Sequence, residues 1–400
     1  MSNFKEVPHV SVSFPRGFHA GGINCGIKMT KKDLALIYSE CPARVAGTFT
    51  KNKLAAAPVR WSREMVSKGK ARAILANSGN ANACTGEGGF RDTRKMAKIA
   101  AAELGVYPEE VLVSSTGVIG KRLPMDTVEM GIKKIVKSIS RKGDSEAAQA
   151  ILTTDTCAKT VALELSLGGK KIKMGAIAKG AGMIQPNMAT MLCFITTDAA
   201  VELSALRHAL KQAVDQSFNC ITVDGDMSTN DTVILMANGM AGNREVFLGS
   251  NDYGVFLSAL SYISRKLAKL IAWDGEGATK LVQVKVTGAH SDDEAKSSAF
   301  AVANSNLFKV SLYAQDPNWG RLMAALGASN VSKFISEKIS VKFNGHYFVK
   351  KGKASGIAMG EARKVFKAKQ INIHINLGQG KGQCSVWTCD LSHKYVDINM

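Results

Sequence analysis

Aromatic side chains make up only 6% of this 400-residue chain. No interleaved aromatic and basic motif of the kind that stacks nucleic-acid bases is present. No apolar run approaches the length of a membrane span, and Met1–Val10 lacks the apolar core of a signal peptide. A protein without membrane anchorage, resident in the cytoplasm, is therefore expected. The eight cysteines (Cys25, Cys41, Cys84, Cys157, Cys193, Cys220, Cys384, Cys389) include no CxxC pair. They read as reduced, mostly buried thiols, neither a disulfide frame nor a zinc site. Seven histidines are dispersed without metal-ligand spacing, so no metal centre is expected. Acidic residues are outnumbered, 33 against 52 Lys and Arg, for a formal charge of +19. The basic residues are spread along the chain (Lys51, Lys53, Arg60, Arg63, Lys133, Lys134, Lys350, Lys351) with no basic tail. Such a surface draws small anions, and nucleic acid is not the expected partner. There is no internal repeat, no P-loop and no dinucleotide fingerprint.

What is present is ample core material, 46% hydrophobic, in a chain long enough for two or three lobes. Strand-length apolar runs (Asp33–Tyr38, Arg72–Ala76, Val111–Val113, Val161–Leu165, Met191–Ile195, Thr232–Ala237) alternate with helical patterns (Asp92–Leu104, Glu202–Phe218, Asn251–Ala272). Gly168-Gly169 marks a hairpin between Val161–Leu165 and Lys171–Ile177. Asp126 with Glu129, and Ser291 with Glu294, read as capping boxes. The texture changes after Lys280, which divides a catalytic α/β region, 1–280, from a C-terminal α/β domain, 281–400. The fold class is mixed α/β (α+β): a layered α/β/β/α-type sandwich with a smaller C-terminal α/β domain.

Two polar stretches follow strands. Asn77–Gly89 is a run of small and amide residues able to line a polar cleft, and Ser114–Gly120 could turn backbone donors toward a substrate. A third, Lys179–Thr190, is a Gly- and Pro-punctuated loop that delivers Thr190 to the start of an apolar strand. A hydroxyl there is held rigidly yet reachable. No histidine lies in these loops, so a Ser-His-Asp or Cys-His arrangement has no obvious base. A free α-amine, with an ordinary pKa of about 7.7–8.0, is a suitable base for a hydroxyl on its own residue. Thr190 would gain one if its hydroxyl attacked the Ala189 carbonyl and water opened the resulting ester. Ala189 keeps that carbonyl uncrowded.

Seven blocks in order along the chain resemble one family: Asn77–Gly86, Ser115–Gly120, Thr153–Thr156, Lys179–Met183 with Pro186–Leu192, Asp224–Asp226 with Ser228–Thr232, Gly275–Lys280 and Asp316–Arg321. They are similar to the glutamate N-acetyltransferase / ornithine acetyltransferase family, the arginine-biosynthesis bifunctional proteins. The resemblance implies self-cleavage between Ala189 and Thr190 into chains 1–189 and 190–400 that assemble as an α2β2 heterotetramer. It implies ping-pong transfer of acetyl from N2-acetyl-L-ornithine to L-glutamate through acetyl-Thr190. No metal or bound cofactor is implied, and some members also take acetyl-CoA as donor. Thr116 and Gly117 would supply the oxyanion hole, while Thr153, Lys179, Thr190, Glu276 and Asn399 would bind substrate. Lys179 suits a carboxylate and Glu276 an ammonium. The sequence departs from the family pattern at Cys157-Ala158, at Met227 and in its basic balance. Two other readings use the same residues: a self-cleaving threonine amidohydrolase or aminopeptidase needing no acceptor amino acid, and a degenerate anion-binding paralogue.

Overall fold

Small and branched apolar residues in Leu34–Phe49, Lys70–Asn80 and Val111–Val118 let these strands lie close together with most of their side chains buried. The computed structural model describes residues 4–185 and 191–400. The chain forms two units. The first comprises Met1–Gly180, Asn187–Asn219 and Met227–Ile271; the second comprises Ala181–Pro186, Cys220–Asp226 and Ala272–Met400.

In the first unit the described residues build a nine-stranded mixed sheet. Its order is Phe4–Glu6, Lys159–Leu167, Lys170–Lys179, Leu192–Thr197, Thr232–Ala237, Leu34–Phe49, Lys70–Asn80, Val111–Val118, with Phe18–Ile23 pairing on Leu34–Ser39. The long strand Leu34–Phe49 serves two neighbours along one edge, Phe18–Ile23 first and Thr232–Ala237 later. A register shift between Tyr38 and Ala43, where Pro42 and its neighbours interrupt the ladder, makes that exchange possible. The hairpin at Gly168-Gly169 forms as expected. Both glycines have positive φ, 55° and 75°, the conformation a two-residue turn of this hand requires.

Several elements differ from their sequence expectation. Lys70–Asn80 runs on through Asn77, because parallel pairing with Val111–Val118 continues past it. The following helix starts at Gly86, six residues before Asp92. Asp126 caps nothing: the helix Met125–Val136 has Pro124 at its N-cap, which places Asp126 inside the first turn. Glu129 instead reaches Lys95 at 2.9 Å and Lys133 at 3.1 Å. Ser291 does cap its helix, accepting from the Glu294 N–H at 3.2 Å. All eight cysteines are free thiols, but only Cys193, Cys220 and Cys389 are buried, and Cys84 and Cys157 are exposed.

The second unit carries a six-stranded sheet in the order Lys353–Ala354, His346–Lys350, Ser340–Phe343, Gln370–Asn376, Leu281–Ala289, Gly382–Cys389. Val282, Val284 and Val286 stand opposite Ile371, Ile373 and Ile375 across a parallel pair, all of them buried. Phe343 packs on Phe348 and Phe366 at ring centroid distances of 4.6 and 5.2 Å. Among the described residues no helix is long and apolar enough to cross a membrane.

Candidate active site

In the first unit, two neighbouring strands set the geometry. Val111–Val118 is buried through Thr116 and emerges at Gly117. Gly117 has φ 132°, and a Cβ there would lie 2.3 Å from the Gly79 carbonyl carbon and 2.5 Å from the Asn80 nitrogen. Only glycine fits so close an approach at that φ. The polar run behind it is largely committed to holding this arrangement. Ser115 Oγ donates to Asn77 Oδ1 at 2.6 Å, and Asn77 Nδ2 donates to the Asn80 carbonyl at 2.8 Å. Asn82 Nδ2 donates to Gly89 O and Thr93 Oγ1 at 2.9 and 3.0 Å. The amides of Asn77–Asn82 are thus scaffold for the strand end, since buried polar groups must be bonded.

Lys179 ends the strand Lys170–Lys179 and is almost wholly buried, 2% exposed. Its Nζ lies 3.5 Å from Thr116 Oγ1, at the outer limit of a hydrogen bond, and 3.9 Å from Asp155 Oδ2. Asp155 ties the group together. Its carboxylate accepts from Lys159 Nζ at 2.7 Å, from the Gly180 N–H at 2.6 Å and from the Thr153 N–H at 3.1 Å. Burial opposes its charge, but Lys179, Lys159 and the Gly180 amide outweigh burial and hold its pKa down at about 2. Two lysines on one buried carboxylate leave a net positive centre, which is what a carboxylate-bearing substrate needs. Thr153 is half-buried and joined to this cluster through its backbone, while Thr154 is exposed.

Sequence reasoning passed over Asp155, Lys159 and Lys28. The Lys28 stem packs against Gly79, and its Nζ donates to the carbonyls of Leu152 at 2.5 Å and Lys32 at 3.2 Å. Burial, with the positive charge of Lys179 contributing, lowers its pKa to about 8 against the pull of Asp33. Asp155 stands inside the quoted Thr153–Thr156 block, and its type was the available signal. Lys28 gave none, being one of many lysines.

In the second unit, Ala181–Gln185 is stitched to its surroundings by backbone groups. The Glu276 N–H donates to Ala181 O at 2.9 Å, and the Met183 and Ile184 N–H groups donate to Asp224 at 2.6 and 2.8 Å. Glu276 lies over Gly182: a Cβ on Gly182 would meet its carboxylate at 2.4 Å. Asn399 Nδ2 donates to Glu276 Oε2 at 2.7 Å and to the Tyr395 carbonyl at 2.8 Å. Tyr395 O–H donates to Asp224 Oδ2 at 3.3 Å. Burial and the nearby Asp224 and Glu276 charges push the Tyr395 phenol up, so it stays a donor. Thr116, Gly117, Lys179 and Thr153 therefore gather in one cluster, and Glu276 and Asn399 in another. Ala189 and Thr190 lie outside the described residues.

The ArgJ family profile matches residues 19–400. The arginine biosynthesis bifunctional protein ArgJ of Caldanaerobacter subterraneus subsp. tengcongensis is 47% identical, over 98% of this chain and 98% of its own length. The protein of the same name from Symbiobacterium thermophilum is also 47% identical, over 97% of each chain. The crystal structure of an ornithine acetyltransferase complexed with ornithine, from Mycobacterium tuberculosis, shares 41% identity with TM-score 0.43, covering 46% of this chain and 98% of that one.

Proposed function

This chain belongs to the ArgJ family, and from that premise we propose that it transfers acetyl from N2-acetyl-L-ornithine to L-glutamate through an ester on Thr190. The observation that carries the reading is the buried positive centre of Lys179, Lys159 and Asp155 lying against Thr116, next to a glycine that tolerates no side chain. Such a centre attracts an amino-acid carboxylate and brings the attached acetyl amide beside the strand end at Thr116 and Gly117. Glu276, with Asn399 on its carboxylate, is the anion suited to an ammonium.

The chemistry begins with the chain itself. The Thr190 hydroxyl adds to the Ala189 carbonyl, the amide nitrogen leaves as the Thr190 α-amine, and water hydrolyses the ester to free chains 1–189 and 190–400. The new α-amine then takes the hydroxyl proton as Thr190 Oγ adds to the acetyl carbonyl of acetylornithine. Donors at Thr116 and Gly117 stabilise the oxyanion, an effect worth ~3 kcal/mol per donor in comparable sites. Collapse expels ornithine, whose α-nitrogen receives the proton held by the Thr190 ammonium. The glutamate amine adds to the acetyl ester and gives a proton to the Thr190 α-amine; the acetyl–Oγ bond then breaks, Oγ takes that proton back, and N-acetylglutamate leaves. No metal or bound cofactor enters these steps; acetyl-CoA would serve as a second donor by the same acylation. The two chains would assemble as an α2β2 heterotetramer in the cytoplasm.

Intact-mass measurement of fresh protein tests the maturation, with masses for 1–189 and 190–400 expected. The Thr190→Ala variant should remain one chain and produce no ornithine from acetylornithine and glutamate. Correctly cut native protein that produces none overturns the transfer reading. Release of acetate without glutamate would assign a hydrolase instead.

A further inference from the structure

One dipeptide in the first unit holds both sides of the proposed reaction centre. Asn230 is buried, and its Nδ2 donates to the Ser115 carbonyl at 2.8 Å and the Ala81 carbonyl at 2.6 Å. It thereby fixes the strand end immediately before Thr116. Asp231 is fully buried, and its Oδ1 accepts the Met191 N–H at 3.1 Å, one residue beyond Thr190. The backbone repeats the link, since the Thr232 N–H donates to Met191 O at 3.1 Å and the Thr50 N–H donates to Asp231 O at 3.0 Å. The second carboxyl oxygen, Oδ2, is buried with no hydrogen-bond partner. A buried, half-bonded carboxyl is costly to keep, so packing alone does not account for it.

Resting on the maturation and acyl transfer set out above, we propose that Asp231 is a positioning residue. Through Met191 it fixes the backbone that follows Thr190, in register with the Ser115–Thr116 segment held by Asn230. Burial pushes this carboxyl well above the usual range, against the opposing pull of the Met191 amide and the Lys179 charge. Lys179 is the charged group facing it, and the Thr50 side chain is its other polar neighbour.

The test uses Asp231→Asn and Asp231→Ala in the full chain, alongside native protein. Asparagine keeps the acceptor for Met191 and carries no charge. It should mature within about threefold of the native rate. Alanine should slow chain cleavage by about tenfold or more. Native-rate cleavage by Asp231→Ala overturns the proposal. So does a loss of about tenfold or more in Asp231→Asn, which keeps the acceptor for Met191; this variant decides alone if the alanine protein does not fold. Native protein that neither cleaves nor transfers acetyl overturns the parent reading, a result distinguishable from failure of either variant.

Discussion

The two polar clusters differ in how they meet water. Asp155, Lys159 and Lys179 lie in the first unit with side-chain exposures of 0%, 0% and 3%. In the second, Asn399 is exposed at the end of a seven-residue helix and bonds Glu276, which is itself only 9% exposed. The first is an ionic knot whose members need one another, because a buried charge without a partner is strongly unfavourable. The second is a nearly buried carboxylate bonded to a neutral amide that solvent reaches. One cluster should therefore couple binding to stability, and the other should affect binding almost alone.

Asp155→Ala gives the largest expected effect. It would leave two buried lysines without their carboxylate and cost about 3–5 kcal/mol of stability, read as a fall in denaturant midpoint at unchanged slope. A loss below 1 kcal/mol would mean that water enters the knot and that the contrast between the clusters is false. Acid provides the same test without mutation. The folded pKa of Asp155, about 2, lies below its ordinary 3.8. Its contribution is thus complete above pH 3.8 and disappears as pH falls through about 2. The difference corresponds to about 2 kcal/mol. Urea titrations of native protein and Asp155→Asn between pH 6 and 2 should converge toward the acid end. Parallel curves would remove the linkage.

Much of the fold could be read from the chain, and the reasons are local. The strand Thr232–Ala237, the Gly168-Gly169 hairpin and the Ser291 cap depend on neighbours in sequence, and the structure has them. Asp126 and Glu129 have the spacing of a capping box, but helix entry at Pro124 and the distant Lys95 decide otherwise. Nonlocal pairing is also why Asn77–Asn80 is strand rather than loop. At the site, motif residues such as Lys179, Glu276 and Asn399 stood out, while Asp155 and Asp231 did not. Asp155 acquires its role from Lys159 and Lys179, and Asp231 from Met191, through contacts that no window of sequence contains.

Glu276→Gln sharpens the other half of the comparison. The amide keeps the shape over Gly182 but loses the charge, so KM for acetylornithine should rise about tenfold, ~1.4 kcal/mol, with the denaturant midpoint nearly unchanged. A stability loss comparable to that of Asp155→Ala would make this cluster a second knot.

Asn399→Ala is the smallest change. It removes the 2.7 Å bond to Glu276 and the 2.8 Å bond to the Tyr395 carbonyl from an exposed helix end where water can replace both. The net cost of one such bond is about 0.5–1.5 kcal/mol, so KM should rise about two- to tenfold while kcat holds. In the double variant with Glu276→Gln the two effects should add to less than their sum, because Asn399 acts on the substrate partly through that carboxylate. Full additivity would mean that Asn399 binds substrate independently of Glu276. A fall in kcat would instead give this half-open cluster a part in the transition state, and the division between a knot that holds and a surface that binds would no longer stand.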